Sequence, residues 1–360
     1  MIDLPGAVAV EALDPPSPDA GVAAHYGDPM REQRLLATAV GLVDRSHRGV
    51  LAVPGEERAG WLHNLTTQHL ADLRAGQGTE LLVLSPHGHV EHHAMVAEDG
   101  TTSWLDTEPG AAGDLLTFLE KMRFLTRVEP RDATAERAVL SLVGPDCAEA
   151  LSALGVTGLA QPRLGVVPGP KFAAGSVPPG ATARYDVREL PGGGLARRGR
   201  LGVDLLVPRS AVADVAGRLR EAGVPAAGLW AYEAIRVAAR LPRVGFETDH
   251  RTIPAEVDLM APAVHLDKGC YRGQETVARV HNLGRPPRRL VLLHLDGVAT
   301  DHPPAPGTPV STDEGRAIGF VGTAVRHYEL GMVALAVIKR NVPDDAPLRV
   351  AESAASIDQP

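Results

Sequence analysis

The chain has 360 residues, enough for two or three domains with substantial cores. Apolar residues make up 44% of it and charged residues 22%, which excludes a largely disordered chain. The formal net charge of −8 provides no general attraction to nucleic acid or to an anionic membrane, so we do not expect direct nucleic-acid binding.

The sequence also predicts the compartment. The opening stretch, MIDLPGAVAVEALDPPSPDAG, lacks the basic start and the long apolar run of a secretory signal. No segment approaches about 18 uninterrupted apolar residues, so we expect no membrane span. The two cysteines, Cys147 and Cys270, cannot form a disulfide framework in a chain of this size. We therefore expect a cytoplasmic protein in a reducing environment.

The first part of the chain predicts an extension followed by repeated units of strand, turn and helix. Residues 1–28 are rich in proline and acids, and we expect them to be loosely ordered. REQRLLATAVGLVD, residues 31–44, has apolar residues spaced for one helix face. RGVLAVPGEERAGWLHNL, residues 48–65, predicts a buried strand, a Pro-Gly break and a helix. RAVLSLVGPDCAEALSAL, residues 137–154, repeats that pattern at a constant offset.

The second half adds hairpins and then a β-rich region. Residues 183–207, ARYDVRELPGGGLARRGRLGVDLLV, predict β-hairpins, and residues 202–223 contain a third strand followed by an amphipathic helix. Such units favour α+β domains of the ferredoxin-like kind, because neither GxGxxG nor GxxxxGK marks a parallel nucleotide-binding sheet. From about Arg285, short β-rich runs between Gly/Pro turns predict a small β-barrel. The final AESAASIDQP is expected to fray.

The stretch DKGCYRGQETVAR, residues 267–279, is the strongest candidate for chemistry. Cys270 lies between Lys268 and Arg272, in a stretch without apolar periodicity. Two nearby cations would lower the pKa of the thiol, and the flanking glycines would allow a tight turn or a close approach to a ligand. An exposed loop cysteine without a role is the alternative, because neighbours in sequence need not be neighbours in space. Cys147, within an apolar helix stripe, is expected to be buried and inert.

HGHVEHH, residues 87–93, is a second candidate. On one strand, His87, His89, Glu91 and His93 would share a face, and imidazoles with a carboxylate suit zinc or iron. One strand rarely supplies a whole coordination sphere, so a polar cleft wall is the favoured interpretation and no metal is assigned. Whether the cluster binds metal stays open at this point.

The cysteine stretch resembles the signature of the YgfZ family, the folate-binding proteins linked to iron–sulfur cluster assembly and tRNA modification. The pattern Lys-Gly-Cys-aromatic-x-Gly-Gln-Glu is matched at residues 268–275. The resemblance covers most of the chain. Residues 41–70 are similar to the opening of the glycine-cleavage T-protein, an aminomethyltransferase related to YgfZ. RRGRLGVDLLV and AIRVAARLPRVG are similar to its Gly-rich hairpin and to the segment before its folate site.

The resemblance implies an α+β, T-protein-like ring of three domains. Two ferredoxin-like α+β domains would be followed by a C-terminal β-barrel. The expected boundaries are 28–134 for the folate-binding domain, 135–285 for the domain with the cysteine signature, and 286–352 for the barrel. The first two domains could interleave in sequence.

Two departures bear on activity. The T-protein has a pair of aspartates where this chain has Glu91-His92, and a folate-contacting glutamate where it has Ala238. Without those carboxylates the pterin loses its expected partners. The resemblance therefore implies a tetrahydrofolate pocket but disfavours aminomethyl transfer, and whether the chain is an enzyme stays open.

The resemblance and the residue chemistry together give one predicted site. Cys270 would be the reactive group, Lys268 its thiolate stabiliser, and Gln274 and Glu275 would orient it or a bound partner. The residues expected to bind tetrahydrofolate or a derivative are Gly269, Tyr271, Gly273, Arg279, Glu91 and His92. Arg279 is chosen for charge complementarity with the glutamyl carboxylates. One cysteine cannot hold an iron–sulfur cluster, since clusters ordinarily need four ligands.

Three functions compete. The leading hypothesis is a tetrahydrofolate-binding accessory protein that maintains iron–sulfur enzymes, and through them tRNA modification, with iron–sulfur proteins as transient clients. The second is a folate-dependent aminomethyl or one-carbon transferase, against which the replaced acids argue. The third is a non-catalytic folate-binding scaffold, against which the activated cysteine argues. We expect a monomer in each case.

Overall fold

The computed structural model describes residues 1, 3–10, 17–160, 183–297 and 302–359. The helices in these ranges are Pro29–Thr38 (α1), Arg58–Leu65 (α2), Ala112–Lys121 (α3), Cys147–Ser152 (α4), Val212–Glu221 (α5), Leu229–Ala238 (α6), Met260–Ala263 (α7) and Gln274–Leu283 (α8). Among them, none combines the length and the apolar character that a bilayer-crossing helix needs.

The strands are numbered in chain order in the same way. The first ten are Val8–Ala9 (β1), Ala23–His25 (β2), Gly41–Asp44 (β3), Gly49–Pro54 (β4), Gln77–Leu84 (β5), Val90–Glu98 (β6), Thr102–Thr107 (β7), Arg131–Asp132 (β8), Arg137–Val143 (β9) and Tyr185–Leu190 (β10). The others are Gly194–Arg198 (β11), Gly202–Pro208 (β12), Ala226–Ala227 (β13), Arg288–Leu295 (β14), Pro309–Thr312 (β15), Ala317–His327 (β16), Gly331–Lys339 (β17), Leu348–Val350 (β18) and Ser353–Ile357 (β19).

One mixed sheet of eleven strands organises the first three quarters of the chain. Its order is β13-β3-β9-β12-β11-β10-β5-β6-β7-β4-β8, and every neighbouring pair is antiparallel except β13 with β3. Its two halves meet where Tyr185 pairs with Gly78, and each half has its own apolar core under its helices. The chain therefore has the predicted α+β fold, and a doubly wound parallel sheet is excluded.

The strand–turn–helix units are confirmed. They appear as β4 with α2, β9 with α4, and β12 with α5. In the stretch 31–44, only α1 is helical, and the last four residues form β3 because Leu42 and Val43 are buried against neighbouring strands. Since β3 pairs with β9, residues 41–44 belong to the sheet half formed by later residues, so the two halves interleave in sequence.

The C-terminal region is a closed six-stranded barrel in the order β14-β17-β16-β15-β18-β19. Its interior is aliphatic, with residues such as Leu293, Val310 and Ile338 fully buried. The expectation of a frayed end was wrong for Ser353–Ile357. This strand pairs with both β14 and β18, and without it the barrel would stay open.

The N-terminal extension is also more ordered than predicted in its described part. β1 pairs with β2, and the terminal ammonium of Met1 lies 3.0 Å from Asp44 Oδ2. Asp19 forms two ion-pair contacts with Arg243, of 2.8 and 3.0 Å. The acidic composition suggested a solvated segment, but Asp19 is the partner of a buried cation.

Two glycines provide a test of the sheet packing. Gly202 begins β12, where an added Cβ would collide with the carbonyl oxygen of Leu142 on β9. Gly217 lies inside α5, with open space around an added Cβ. We expect Gly202→Ala to lower the free energy of unfolding by about 2 kcal/mol or more, because β9 and β12 must separate. Gly217→Ala should raise it by about 0.5–1 kcal/mol.

Urea unfolding of the purified variants measures both changes. The matched control is Gly217→Ala, which makes the same chemical change where nothing obstructs it. Equal stability of the two variants would contradict the strand packing described here.

Candidate functional site

A small cavity lies at the centre of the large sheet, under α6. It encloses about 80 Å³ and is lined from β5, β6, β9, β12, α6 and the segments 45–48 and 241–243. The lining combines arginines and carboxylates with aliphatic and aromatic side chains, among them Leu142, Val203 and Tyr232. Such mixed surfaces suit a ligand with a flat ring and polar edges.

Arginines join carboxylates from separate parts of the sheet around this cavity. Arg48 Nε lies 3.0 Å from Asp106 Oδ2, and Arg48 Nη1 lies 2.8 Å from Glu108 Oε1. Arg197 contacts the other oxygen of Asp106 at 2.5 Å and Asp204 at 2.9 Å. Each of these buried charges has an opposite charge within hydrogen-bond distance, which is what burial of ionised groups requires.

Arg243 is the most connected of these cations. It contacts Glu108 at 2.8 Å and Glu233 at 3.2 Å, besides its two contacts with Asp19. Burial alone would raise the pKa of Asp19, but the hydrogen bonds from His47 and Arg243 outweigh it and hold that pKa well below its ordinary value. Asp19 is therefore an ionised carboxylate at neutral pH.

A second polar group is centred on Glu80. This fully buried carboxylate lies 2.9 Å from Nε2 of His93 and 3.2 Å from Nε of Arg200, and it accepts a hydrogen bond from the hydroxyl of Tyr185. Burial would raise its pKa, but Arg200, His93 and Tyr185 together lower the pKa of Glu80 to about 2. Glu80 is therefore a pure acceptor at neutral pH.

The cysteine loop lies between α7 and α8. Cys270 is exposed in it, as predicted, and Cys147 is buried in the core beneath β9, also as predicted. The Cys147 thiol donates a hydrogen bond to the carbonyl of Leu142 over 3.2 Å, and burial raises the pKa of this thiol to about 11.

Lys268 does not have the role predicted for it. Its ammonium donates hydrogen bonds to the backbone carbonyls of His63, Thr66 (2.5 Å) and Gln68 (3.3 Å), at and beyond the C-terminal end of α2. Burial lowers the pKa of Lys268 to about 8, and the side chain lies over the ring of Tyr271. The cation therefore fixes the loop to the end of α2 instead of stabilising the thiolate, because helix-end carbonyls attract a buried ammonium.

The motif's other residues also support the loop. Tyr271 is buried in an apolar cluster that also contains Leu82 and Leu84 of β5. Gly273 has a φ of +81°, and a Cβ on it would lie 2.7 Å from the carbonyl oxygen of Ser85, so the predicted close approach is to backbone. Gln274 Nε2 donates to the carbonyl of Lys268 over 3.3 Å. Gly269 has open space around it.

The structure brings the loop next to the predicted Glu91-His92 pair. Arg272 Nη2 lies 3.2 Å from Glu91 Oε1, and the ring of His92 lies 6.3 Å from that of Phe118. Burial lowers the pKa of His92. Glu275 and Arg279 are exposed on α8. The cavity lining includes none of these predicted folate-binding residues.

The shared face expected for HGHVEHH is not formed. His87 and His89 belong to the turn before β6, and the pairing of β5 with β6 shifts register between Val83 and Leu84, opposite Glu91. Glu91 therefore faces Arg272 while His93 faces Glu80. Within the described ranges, no group of three or more His, Cys, Asp or Glu side chains is arranged to hold a metal ion.

Of the cavity's residues, His93 had been selected as part of HGHVEHH, but Glu80 and Arg243 were missed. Arg243 is far from the other two in sequence, so no short motif joins the three. The available signal was the placement of a charged residue within an apolar strand pattern, as Glu80 is placed in QGTELLVL. A buried charge in such a pattern indicates a partner or a ligand.

Known sequences similar to this chain cover most of its length. Residues 25–166 match the family described as the GCVT N-terminal domain. An Arabidopsis thaliana protein, provisionally named a chloroplastic transferase, is 28% identical over 303 residues, which cover 81% of this chain and 65% of that protein. The chain thus spans just under two thirds of that relative. The aminomethyltransferase of Symbiobacterium thermophilum is 29% identical over 83% of this chain and 78% of its own length.

A solved structure matches the whole fold. Aminomethyltransferase T of the glycine cleavage system from Bartonella henselae superimposes with a TM-score of 0.77, covering 98% of this chain and 93% of its own. Sequence identity in that alignment is 20%, so the likeness establishes a T-protein-like fold.

The two cysteines give a direct test of the loop. We expect iodoacetamide at neutral pH to label Cys270 at least about a hundredfold faster than Cys147. Cys270 is exposed, while Cys147 is enclosed and its raised pKa alone lowers its thiolate fraction by about two orders of magnitude.

Mass spectrometry of the two cysteine peptides over time measures both rates in one sample. Unfolding in urea should bring the rates together and serves as the control. Equal labelling of the native protein would contradict an exposed Cys270.

Proposed function

From its place in the GcvT-like aminomethyltransferase family, which the matches above support, we propose that the chain is a tetrahydrofolate-binding accessory protein acting through Cys270. Its clients would be iron–sulfur proteins, met transiently, and tRNA modification would depend on it through them. The observation that carries this proposal is an exposed cysteine loop fixed by Lys268 to the wall of a T-protein-like fold with a polar central cavity.

The chemistry of the cavity lining fits a folate. Tyr232 and the aliphatic residues around it suit a pterin face, while Arg45 and Arg243 suit carboxylates or ring oxygens. Arg45 lies 4.4 Å from the centre of the Tyr232 ring, so an aromatic and a cation already meet there.

The volume sets a condition on binding. A cavity of about 80 Å³ is well below the roughly 300 Å³ at which pockets for such ligands begin. Folate binding therefore requires the lining arginines or the Asp19 segment to move outward. Arg279 does not line the cavity, so its proposed contact with the glutamyl tail places that tail outside, on the α8 side.

Aminomethyl transfer is the second candidate, favoured by the aminomethyltransferases among the relatives. Against it, Glu91 and His92 lie outside the cavity, and Ala238 provides no carboxylate. A non-catalytic folate scaffold would leave the exposed Cys270 without a role. Gln274, Tyr271 and Gly273 act in our proposal by holding the loop in place, and Gly269 and Glu275 leave the surface around Cys270 open.

Cys270 can supply only one ligand to a metal centre, so the proposed chemistry is transient. An exposed thiol can be oxidised, can attack an electrophile, or can lend one sulfur to a cluster that a client holds. A monomer in the cytoplasm is the proposed working state. The chloroplast named for the Arabidopsis relative is the alternative compartment.

Calorimetry with tetrahydrofolate under anaerobic conditions tests the ligand. We expect saturable binding by the wild-type chain and about tenfold weaker binding by Arg279→Ala, because a charge-assisted hydrogen bond to a glutamyl carboxylate is lost. Arg285→Ala is the matched control, since Arg285 is an exposed arginine just beyond the same helix.

The two parts of this proposal can fail separately. Absence of heat with the wild-type chain would contradict folate binding. Equal affinity of the wild type and Arg279→Ala would contradict only the contact assigned to Arg279.

A deletion strain tests the role in iron–sulfur metabolism. We expect iron–sulfur enzyme activities and the tRNA modifications that depend on them to fall without the gene. The wild-type gene and Cys147→Ser should restore both, whereas Cys270→Ser should not, because only the exposed thiol can meet a client. Enzymes without clusters, assayed in the same extracts, are the control. Full restoration by Cys270→Ser would contradict a role for the thiol.

A further inference from the structure

One side chain of the cavity combines burial, a fixed orientation and an unused polar atom. His93, on β6, is 8% exposed and lines the cavity. Its Nε2 lies 2.9 Å from Oε2 of Glu80, and its own backbone carbonyl accepts a hydrogen bond from the Thr107 hydroxyl over 2.7 Å. Both the ring and the backbone of His93 are therefore held in place.

The partner of Nε2 determines where the ring proton lies. An ionised carboxylate accepts hydrogen bonds and cannot donate one. Glu80 is ionised because Arg200, Tyr185 and His93 all direct donors to it. Nε2 of His93 must therefore carry a hydrogen, and in the neutral ring Nδ1 is then a bare acceptor.

Nδ1 has no partner of its own. Among the described residues, His93 Nδ1 forms no hydrogen bond. It is also not one of the fully buried polar atoms without a partner, so the atom is accessible. Because His93 lines the cavity, the cavity is the open space beside this ring into which Nδ1 can point. A carboxylate that holds one ring nitrogen of a histidine leaves the other nitrogen free to contact a substrate, and this is how carboxylates orient histidines in catalytic triads.

We propose that Nδ1 of His93, oriented by Glu80, is the hydrogen-bond acceptor that recognises an N–H or O–H group of the cavity's ligand. The proposal rests on the proposed function in taking tetrahydrofolate as that ligand, which carries several N–H groups. It assigns a specificity-determining role to a residue outside the cysteine motif.

The competing explanation is that His93 only satisfies Glu80. A glutamine would serve that purpose as well, because its Nε2 reaches the same carboxylate, but it would lose the acceptor at the Nδ1 position. An asparagine would do the reverse, placing its Oδ1 near the Nδ1 position while losing the contact with Glu80. His93→Gln and His93→Asn therefore separate recognition from support.

Binding of tetrahydrofolate to the full chain, followed by calorimetry, compares these variants. We expect His93→Gln to bind about tenfold more weakly than the wild type, with a melting temperature close to it, and His93→Asn to bind more tightly than His93→Gln. Wild-type affinity in His93→Gln overturns the proposal. Tighter binding by His93→Gln than by His93→Asn also overturns the proposal. The two variants can be compared with each other even if one of them is less stable than the wild type.

Nitrogen NMR of the histidine side chains supplies a readout that needs no ligand. At a pH where its ring is neutral, His93 should show a protonated Nε2 and a bare Nδ1, and Glu80→Gln should loosen this preference. A protonated Nδ1 in the wild type overturns the proposal. If the wild type binds no tetrahydrofolate, the proposed function fails, while a bare Nδ1 still upholds the orientation of His93 by Glu80.

Discussion

The ion pairs of Arg243 hold together three parts of the molecule that are far apart in sequence. One guanidinium contacts Asp19 from the N-terminal segment, Glu108 from the end of β7, and Glu233 from α6. Removing one partner from such a buried set costs about 3–5 kcal/mol, because a charge is left unpaired in a poor solvent. The centre of the fold must therefore stay ionic.

The sequence predicted the parts of the fold that are specified locally. The repeated strand–turn–helix units, the hairpins after Tyr185 and the barrel all have apolar periodicity and glycine-rich turns in a short stretch of chain. The joining of the two sheet halves at β10 and β5 leaves no such signal, because it depends on residues about a hundred positions apart. The order of the N-terminal segment was missed for the same reason, since Asp19 resembles a solvated acid until Arg243 is placed beside it.

The residues of the site show the same difference between what a short stretch of sequence specifies and what depends on distant residues. Cys270 could be selected from its own neighbourhood, and its exposure follows from the lack of an apolar pattern around it. The role of Lys268 could not be predicted from its neighbourhood, because its acceptors are carbonyls of residues 63–68, some two hundred positions away. The shared face predicted for the histidine cluster was wrong because of one local irregularity in the strand. A register shift opposite Glu91 places Glu91 and His93 in different surroundings, and a period of two cannot anticipate a bulge.

The exposed loop and the enclosed cavity share a support, which is a physical reason to treat them as one site. Tyr271 of the loop and Leu82 of β5 belong to the same apolar cluster, and the Leu82 amide donates to the Thr67 hydroxyl over 3.0 Å. That hydroxyl donates to the carbonyl of Ala263, at the end of the helix that precedes the loop. Glu80 lies two residues before Leu82 on the same strand, on the same side of the backbone. Because one strand carries both the acceptor network of the cavity and the packing of the cysteine loop, a displacement of β5 would change the two together.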